Sequence, residues 1–75
     1  MNLLHPASMG AVVNLWFVND QPVRLVNGTT RYSVVSATAW ADDAGWTIVA
    51  RSASGQLSRF DVRSAGAGWE LSSAS

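Results

Sequence analysis

Residues 21–63 read QPVRLVNGTTRYSVVSATAWADDAGWTIVARSASGQLSRFDVR, a stretch in which apolar and polar residues alternate on both sides of two turn signals. The first signal is Asn27-Gly28 and the second is Gly55. Alternation of this kind, interrupted by Gly and Asn, is typical of antiparallel β-hairpins. The stretch therefore predicts four β-strands that are joined in pairs by tight turns.

The first hairpin is predicted from Asn27-Gly28, the preferred pair for a two-residue type I′ turn, in which both central residues need positive φ. This turn would place Arg24 directly opposite Arg31 on neighbouring strands. Because like charges opposed across a ladder destabilise a sheet, the two arginines would need an acid between them or a bound anion. The face expected to point into the core carries Val23, Leu25, Tyr32 and Val34.

The second hairpin is predicted from Ala53-Ser54-Gly55, because a three-residue loop favours Gly at its last, left-handed position. The predicted pairs are Ile48 with Phe60, Trp46 with Val62, Thr47 with Asp61, and Val49 with Arg59. In this register the apolar residues of both strands share one face, as a buried face requires. We therefore expect Phe60 to lie in the core.

The rest of the chain predicts two more strands. Residues 11–18 alternate but are largely apolar on both faces, which favours a central or covered strand, and Trp69-Glu70-Leu71 predicts a short last strand. Ser36, Ala37 and Ala39 predict a bend or bulge in the strand that follows the first turn. Five to six short strands at this spacing predict an all-β fold, a small SH3-like antiparallel barrel or rolled sheet.

We expect one small β domain over residues 11–72, an irregular arm over residues 1–10 and a tail over residues 73–75. The chain has no cysteine, so neither a disulfide nor a thiolate metal site can reinforce so small a domain. The core would rest on the aromatic residues, which are Trp16, Phe17, Tyr32, Trp40, Trp46, Phe60 and Trp69. A homodimer is the alternative route to stability, and a stacking platform for single strands is the alternative use of the tryptophans.

Five arginines and five acidic residues give a net charge of zero, which implies no general attraction to nucleic acid or to an anionic membrane. No apolar run approaches the roughly 20 residues that a membrane-spanning helix needs. The first ten residues lack the positive charge of a signal peptide, so we expect a cytoplasmic protein. The absence of lysine reflects either a GC-rich genome or a need for the planar, bidentate recognition that arginine provides.

The sequence contains no pattern that is typical of a catalytic or metal site. His5 is the only histidine, so a catalytic triad or a histidine metal site would lack partners. Asp42-Asp43 is the only adjacent acidic pair, and a solvated turn explains it better. We therefore predict a non-enzymatic protein that needs no cofactor and no metal.

The candidate binding residues are Arg24 and Arg31, which would hold an anion or a nucleic-acid phosphate; the alternative is a pair of solvated surface arginines. Arg59 and Arg63 flank Asp61 on one predicted strand face, so we expect that acid to neutralise them.

Short motifs along residues 21–71 resemble a known family. The motifs are Pro22-Val23-Arg24-Leu25, a turn glycine, Tyr32-Ser33-Val34, Trp40, Trp46-Thr47-Ile48-Val49, Gly55, Arg59-Phe60-Asp61-Val62 and Trp69-Glu70-Leu71. Together they resemble a small actinobacterial domain of unknown function, which follows the polymerase core in some ImuB-like Y-family proteins and also occurs as a short stand-alone protein. The resemblance implies an accessory role beside DNA-repair proteins and carries no catalytic residues.

From these observations we expect a protein-interaction or accessory module whose partner is a protein, bound for example by strand addition to a short edge strand. The alternative is a small nucleic-acid-binding barrel with a DNA-repair-associated role. The positions of the arginines distinguish the two, because a cluster of arginines beside an exposed aromatic side chain would favour nucleic acid.

Overall fold

The computed structural model describes residues 11–74, which form six antiparallel strands and no helix. The strands are β1 (Val12–Val18), β2 (Gln21–Asn27), β3 (Thr30–Ala39), β4 (Gly45–Ser52), β5 (Leu57–Ala65) and β6 (Gly68–Ala74). Each strand pairs with the next along the chain, and β6 returns to β1, so the sheet closes into a small barrel. The predicted all-β antiparallel barrel is confirmed. Residues 11–74 contain no helix long and apolar enough to cross a membrane.

The β4–β5 hairpin has the predicted register. Ile48 pairs with Phe60 and Trp46 pairs with Val62, and the other two predicted pairs, Thr47–Asp61 and Val49–Arg59, are also present. Gly55 has a φ of 90°, the left-handed conformation that the three-residue loop needs at this position. The agreement arises because turn chemistry and apolar alternation specify the same pairing.

The β2–β3 turn lies one residue later in the chain than predicted, so the predicted pairing of the two strands is wrong by two residues. Only Gly28 has a positive φ in this turn, at 65°, and Asn27 stays in the ladder as the partner of Thr30. A positive φ at the first central position alone is the pattern of a type II′ turn, with Gly28 and Thr29 as its central residues. As a result Arg24 lies opposite Ser33, so the predicted pairing of Arg24 with Arg31 is corrected.

Three β-bulges interrupt the ladders. On β2 the register shifts at Val23, so Pro22 and Leu25 are buried while Val23 is 43% exposed, which corrects its predicted core position. On β3 the extra residue is Val35, immediately before the predicted bend at Ser36. The third bulge lies on β6 and has Ser72 as its extra residue. A bulge shifts the alternation of inward and outward side chains by one residue and bends the strand, which helps so small a sheet to close.

The core runs through the middle of the barrel and is built from strongly buried apolar residues: Val13, Leu25, Ile48, Ala50, Phe60, Val62 and Leu71. Tyr32 packs edge-on against Phe60, with ring centroids 4.9 Å apart. Phe17 contacts Trp46 and Trp69 at centroid distances of 6.1 and 5.7 Å. The expected burial of Phe60 is therefore confirmed.

The outer face of β1 differs from the prediction. Trp16 on this face is 47% exposed, and Phe17, which points to the opposite face towards Trp46 and Trp69, is 39% exposed, although both were expected to carry the core. Val12 and Val18 are exposed as well, so no described element covers this face of β1. The last strand extends through Ala74, beyond the predicted domain end at residue 72. The predicted arm over residues 1–10 and the final residue of the predicted tail lie outside the described residues.

Candidate anion-binding site

Within residues 11–74, acidic and basic side chains concentrate towards opposite ends of the barrel. The turns at residues 28–29 and 53–56 lie at one end, and the loops at residues 19–20, 41–44 and 66–67 lie at the other. The second end carries Asp20, Asp42 and Asp43, and we call it the acidic end. Arg31 is the second residue of β3 and Arg51 is the last but one of β4, so both lie near the first end, which we call the basic end.

Strand pairing brings three arginines together on the outer surface. Arg24 on β2 lies opposite Ser33 on β3, and Ser33 lies opposite Arg51 on β4, so the serine separates two arginines in one cross-strand row. Arg31 precedes Ser33 by two residues and shares its face, because side chains two apart on a strand point to the same side. All four residues are exposed.

These side chains form an open pocket with a volume of about 400 Å³. Its lining residues are Arg24, Arg31, Tyr32, Ser33, Arg51, Ser52 and Ala53. Its lining side chains carry three guanidinium groups and three hydroxyl groups, all of which are hydrogen-bond donors. We call this feature the arginine pocket.

The arginines of the pocket have no acidic partner among the described residues. Within residues 11–74, salt bridges at N–O distances of up to 4.0 Å involve only the other two arginines. Arg59 lies 3.6 Å from Asp61, and Arg63 lies 3.4 Å from Glu70. Two acids therefore pair with the arginines of β5, whereas no salt bridge within residues 11–74 involves the arginines of the pocket.

An exposed aromatic side chain adjoins the arginine pocket. Trp16 on β1 is the cross-strand neighbour of Arg24, and the Arg24 guanidinium carbon lies 5.8 Å from the centroid of the Trp16 ring. This distance is within the range of a cation–π interaction. Because Trp16 keeps 47% of its surface exposed, it can still contact a bound molecule.

The best-defined polar network lies elsewhere, on β4, β5 and β6. Asp61 accepts hydrogen bonds from the Ser73 hydroxyl at 2.6 Å and from the Thr47 hydroxyl at 2.9 Å. Thr47 in turn accepts a hydrogen bond from the indole N–H of Trp40 at 3.1 Å. The Ser73 hydrogen bond, followed by Thr47 and Arg59, holds the pKa of Asp61 below its ordinary value of 3.8, against the opposing effect of burial. The network fastens three strands to one another.

The remaining candidates from the sequence have local explanations. Asp42 accepts a hydrogen bond from the Ala44 backbone N–H at 3.0 Å, and Asp43 has a positive φ of 59°, so the acidic pair forms a turn. His5 lies outside the described residues. Within residues 11–74 there is no group of three or more His, Cys, Asp or Glu side chains that could hold a metal ion.

The structure thus brings the predicted residues Arg24 and Arg31 into one pocket, although they do not face each other as predicted. The sequence reasoning missed Arg51, which completes the pocket, and Ser33, which lies between Arg24 and Arg51. Only the correct β2–β3 and β3–β4 registers would have indicated them, since nothing in the local sequence marks either residue.

Comparisons of the chain with protein-family models, with curated proteins and with solved structures give no match.

Proposed function

We propose that this protein is a non-enzymatic module that binds single-stranded nucleic acid through the arginine pocket. The observation that carries the proposal is the cluster of three arginines without a carboxylate partner among residues 11–74, next to the exposed Trp16. An arginine cluster beside an exposed aromatic is the arrangement that separates a nucleic-acid interface from a neutral protein-binding surface.

The chemistry of the pocket suits a phosphate group. Each guanidinium presents N–H donors in a planar fork that matches two phosphate oxygens, and the bonds are strengthened by charge. Ser33 lies between Arg24 and Arg51, so its hydroxyl group can donate to the same anion. A nucleotide whose phosphate lies in the pocket can place its base towards Trp16, where stacking contributes roughly 1–3 kcal/mol per base.

A net charge of zero does not oppose this binding, because the acids lie elsewhere on the barrel. Arg31 lies near the start of β3 and Asp42 lies in the loop after its end, and the ten residues of β3 span roughly 30 Å. That separation exceeds the Debye length of about 10 Å at 0.1 M salt. A phosphate in the pocket is therefore attracted by nearby arginines more strongly than it is repelled by remote acids.

Three arginines and one aromatic side chain favour a single strand over a duplex. Stacking on Trp16 requires an unpaired base, whereas no described helix or ribbon is available to enter a major groove. With few phosphate contacts, binding should be weak, sensitive to salt and largely independent of sequence. Such a ligand is consistent with the accessory role beside DNA-repair proteins that the family resemblance implies.

A protein partner is the second candidate, and a separate observation favours it. Among residues 11–74, seven large apolar side chains are exposed, and five of them lie on β1 and the start of β2: Val12, Trp16, Phe17, Val18 and Val23. Exposed apolar side chains concentrated in one part of a protein favour a protein-interaction site. This surface and the arginine pocket meet at Trp16, but most of their residues differ.

Titration of a labelled single-stranded oligonucleotide at low salt tests the proposal. The double variant Arg24→Ala, Arg31→Ala should lose binding while its thermal melt stays close to that of the wild type. The matched control is Arg59→Ala, Arg63→Ala, which changes the net charge equally but removes arginines that are ion-paired on β5. Equal loss in both variants, or no binding by the wild type, would overturn the proposal.

A further inference from the structure

The seam that closes the barrel is short. Between β1 and β6 only Val12–Glu70 and Val13–Trp69 are paired, and the Leu71 N–H donates to the Ala11 carbonyl at 2.8 Å. β1 continues to Val18, whereas β6 begins at Gly68. Among residues 11–74, no strand therefore pairs with the β6-facing side of residues 15–18, and we call this segment the β1 edge.

The β1 edge lacks the features by which proteins usually protect an open strand. Such strands commonly carry charges or proline, which prevent pairing with another chain. Residues 11–19 contain neither a charged residue nor proline. Within the edge, Trp16, Phe17 and Val18 are 47%, 39% and 56% exposed. The edge thus offers unpaired backbone groups together with accessible apolar side chains.

We infer that the β1 edge pairs with the β1 edge of a second copy of this chain, as antiparallel strands related by a two-fold axis. In such an interface residue i of one copy contacts residue j of the other and j contacts i, so any charge on the edge would be desolvated twice, and a small interface of this kind requires an edge without charges. The complete absence of charge over residues 11–19 satisfies this requirement. The edge carries no charge that could bind an oppositely charged partner by electrostatic complementarity. This inference does not depend on the arginine pocket.

The area available indicates a weak dimer. The described chain exposes 4824 Å², and a stable interface buries about 800 Å² per partner, or about a sixth of that surface. A four-residue edge and its apolar side chains cover less than this area. We therefore expect a dimer that forms in the micromolar range or above and dissociates on dilution.

Two substitutions of equally exposed valines test the inference on the full chain. Val18→Lys adds a charge to the β1 edge, whereas Val35→Lys adds the same charge at the β3 bulge, where valine is 53% exposed against 56% for Val18. Because a two-fold dimer contains each substitution twice, Val18→Lys should weaken dimerisation at least about tenfold, and Val35→Lys should change it little. Sedimentation equilibrium over a wide concentration range measures both effects.

Hydrogen exchange at low and high protein concentration locates the interface. The inference expects additional protection of the residue 15–18 amides in the concentrated sample and its loss in Val18→Lys. A wild type that stays monomeric at every concentration would overturn the inference. That result is expected if residues 1–10 or another protein, and not a second copy, cover the edge. A dimer that Val35→Lys weakens as much as Val18→Lys would also overturn it.

Discussion

Gly45, the first residue of β4, is buried where two other parts of the chain approach its backbone. A Cβ atom at this position would overlap the Val62 carbonyl oxygen, and it would lie 2.7 Å from Cε3 and Cζ3 of Trp40. The carbonyl belongs to the backbone of β5, which pairs with β4, so a side-chain rotation cannot relieve the overlap. Gly45→Ala should therefore destabilise the barrel.

The sign of this effect distinguishes the close approach from ordinary glycine behaviour. In an open position, replacing Gly by Ala stabilises a protein by about 0.4–1 kcal/mol, whereas overpacking costs about 1–3 kcal/mol. We expect overpacking to dominate at Gly45, with a net loss of about 1–2 kcal/mol. For a domain of this size, each kcal/mol lowers the melting temperature by about 4–8 °C.

Gly68→Ala is the matched control for the thermal melt. Gly68 is also the first residue of a strand, has no positive φ, and a Cβ there would meet no atom within 4 Å. This variant should melt at the wild-type temperature or slightly above it. If Gly45→Ala were as stable as Gly68→Ala, the packing of Trp40 and β5 around Gly45 would be wrong.

Two further predictions concern the core and the polar network. Phe60→Ala removes a side chain that is 3% exposed and stacked edge-on with Tyr32, so it should cost about 3–5 kcal/mol, and a urea titration should find the variant largely unfolded. Ser73→Ala should raise the pKa of Asp61. Because the native pKa is lowered, the carboxylate stabilises the fold above its ordinary pKa of 3.8 and loses that contribution as the pH falls through the native value. The stability difference between wild type and Ser73→Ala should therefore be present at neutral pH and vanish well below pH 3.8; a difference independent of pH would contradict it.

Much of the fold follows from local sequence rules. In the β4–β5 hairpin, the glycine of the loop and the apolar alternation indicate the same register, so every predicted pair is present. In the β2–β3 hairpin, Asn27-Gly28 fits two turn types that differ by one position. The choice between them depends on which residues the rest of the barrel buries, and two-residue turn chemistry alone does not determine it.

The bulges explain most of the remaining differences. A bulge at Val23 turns Pro22 inward in place of Val23, and the adjacent proline does not predict it, since proline is equally expected at the start of a strand. The exposure of Trp16 arises because no element within residues 11–74 covers the outer face of β1, a tertiary property that apolar composition does not show. The arginine pocket likewise depends on three strands at once, which is why Arg24 and Arg31 could be nominated from the sequence but Arg51 could not.

The salt dependence of single-strand binding tests the central claim most directly. If the three pocket arginines each neutralise one phosphate, the logarithm of the binding constant should fall with the logarithm of salt concentration with a slope of about −2, since each phosphate contributes roughly 0.7. Arg51→Ala should reduce the slope by about 0.7, and Arg63→Ala, at an arginine paired with Glu70, should leave it unchanged. Equal slopes for the wild type and Arg51→Ala, or an equal reduction in Arg63→Ala, would contradict phosphate binding in the arginine pocket.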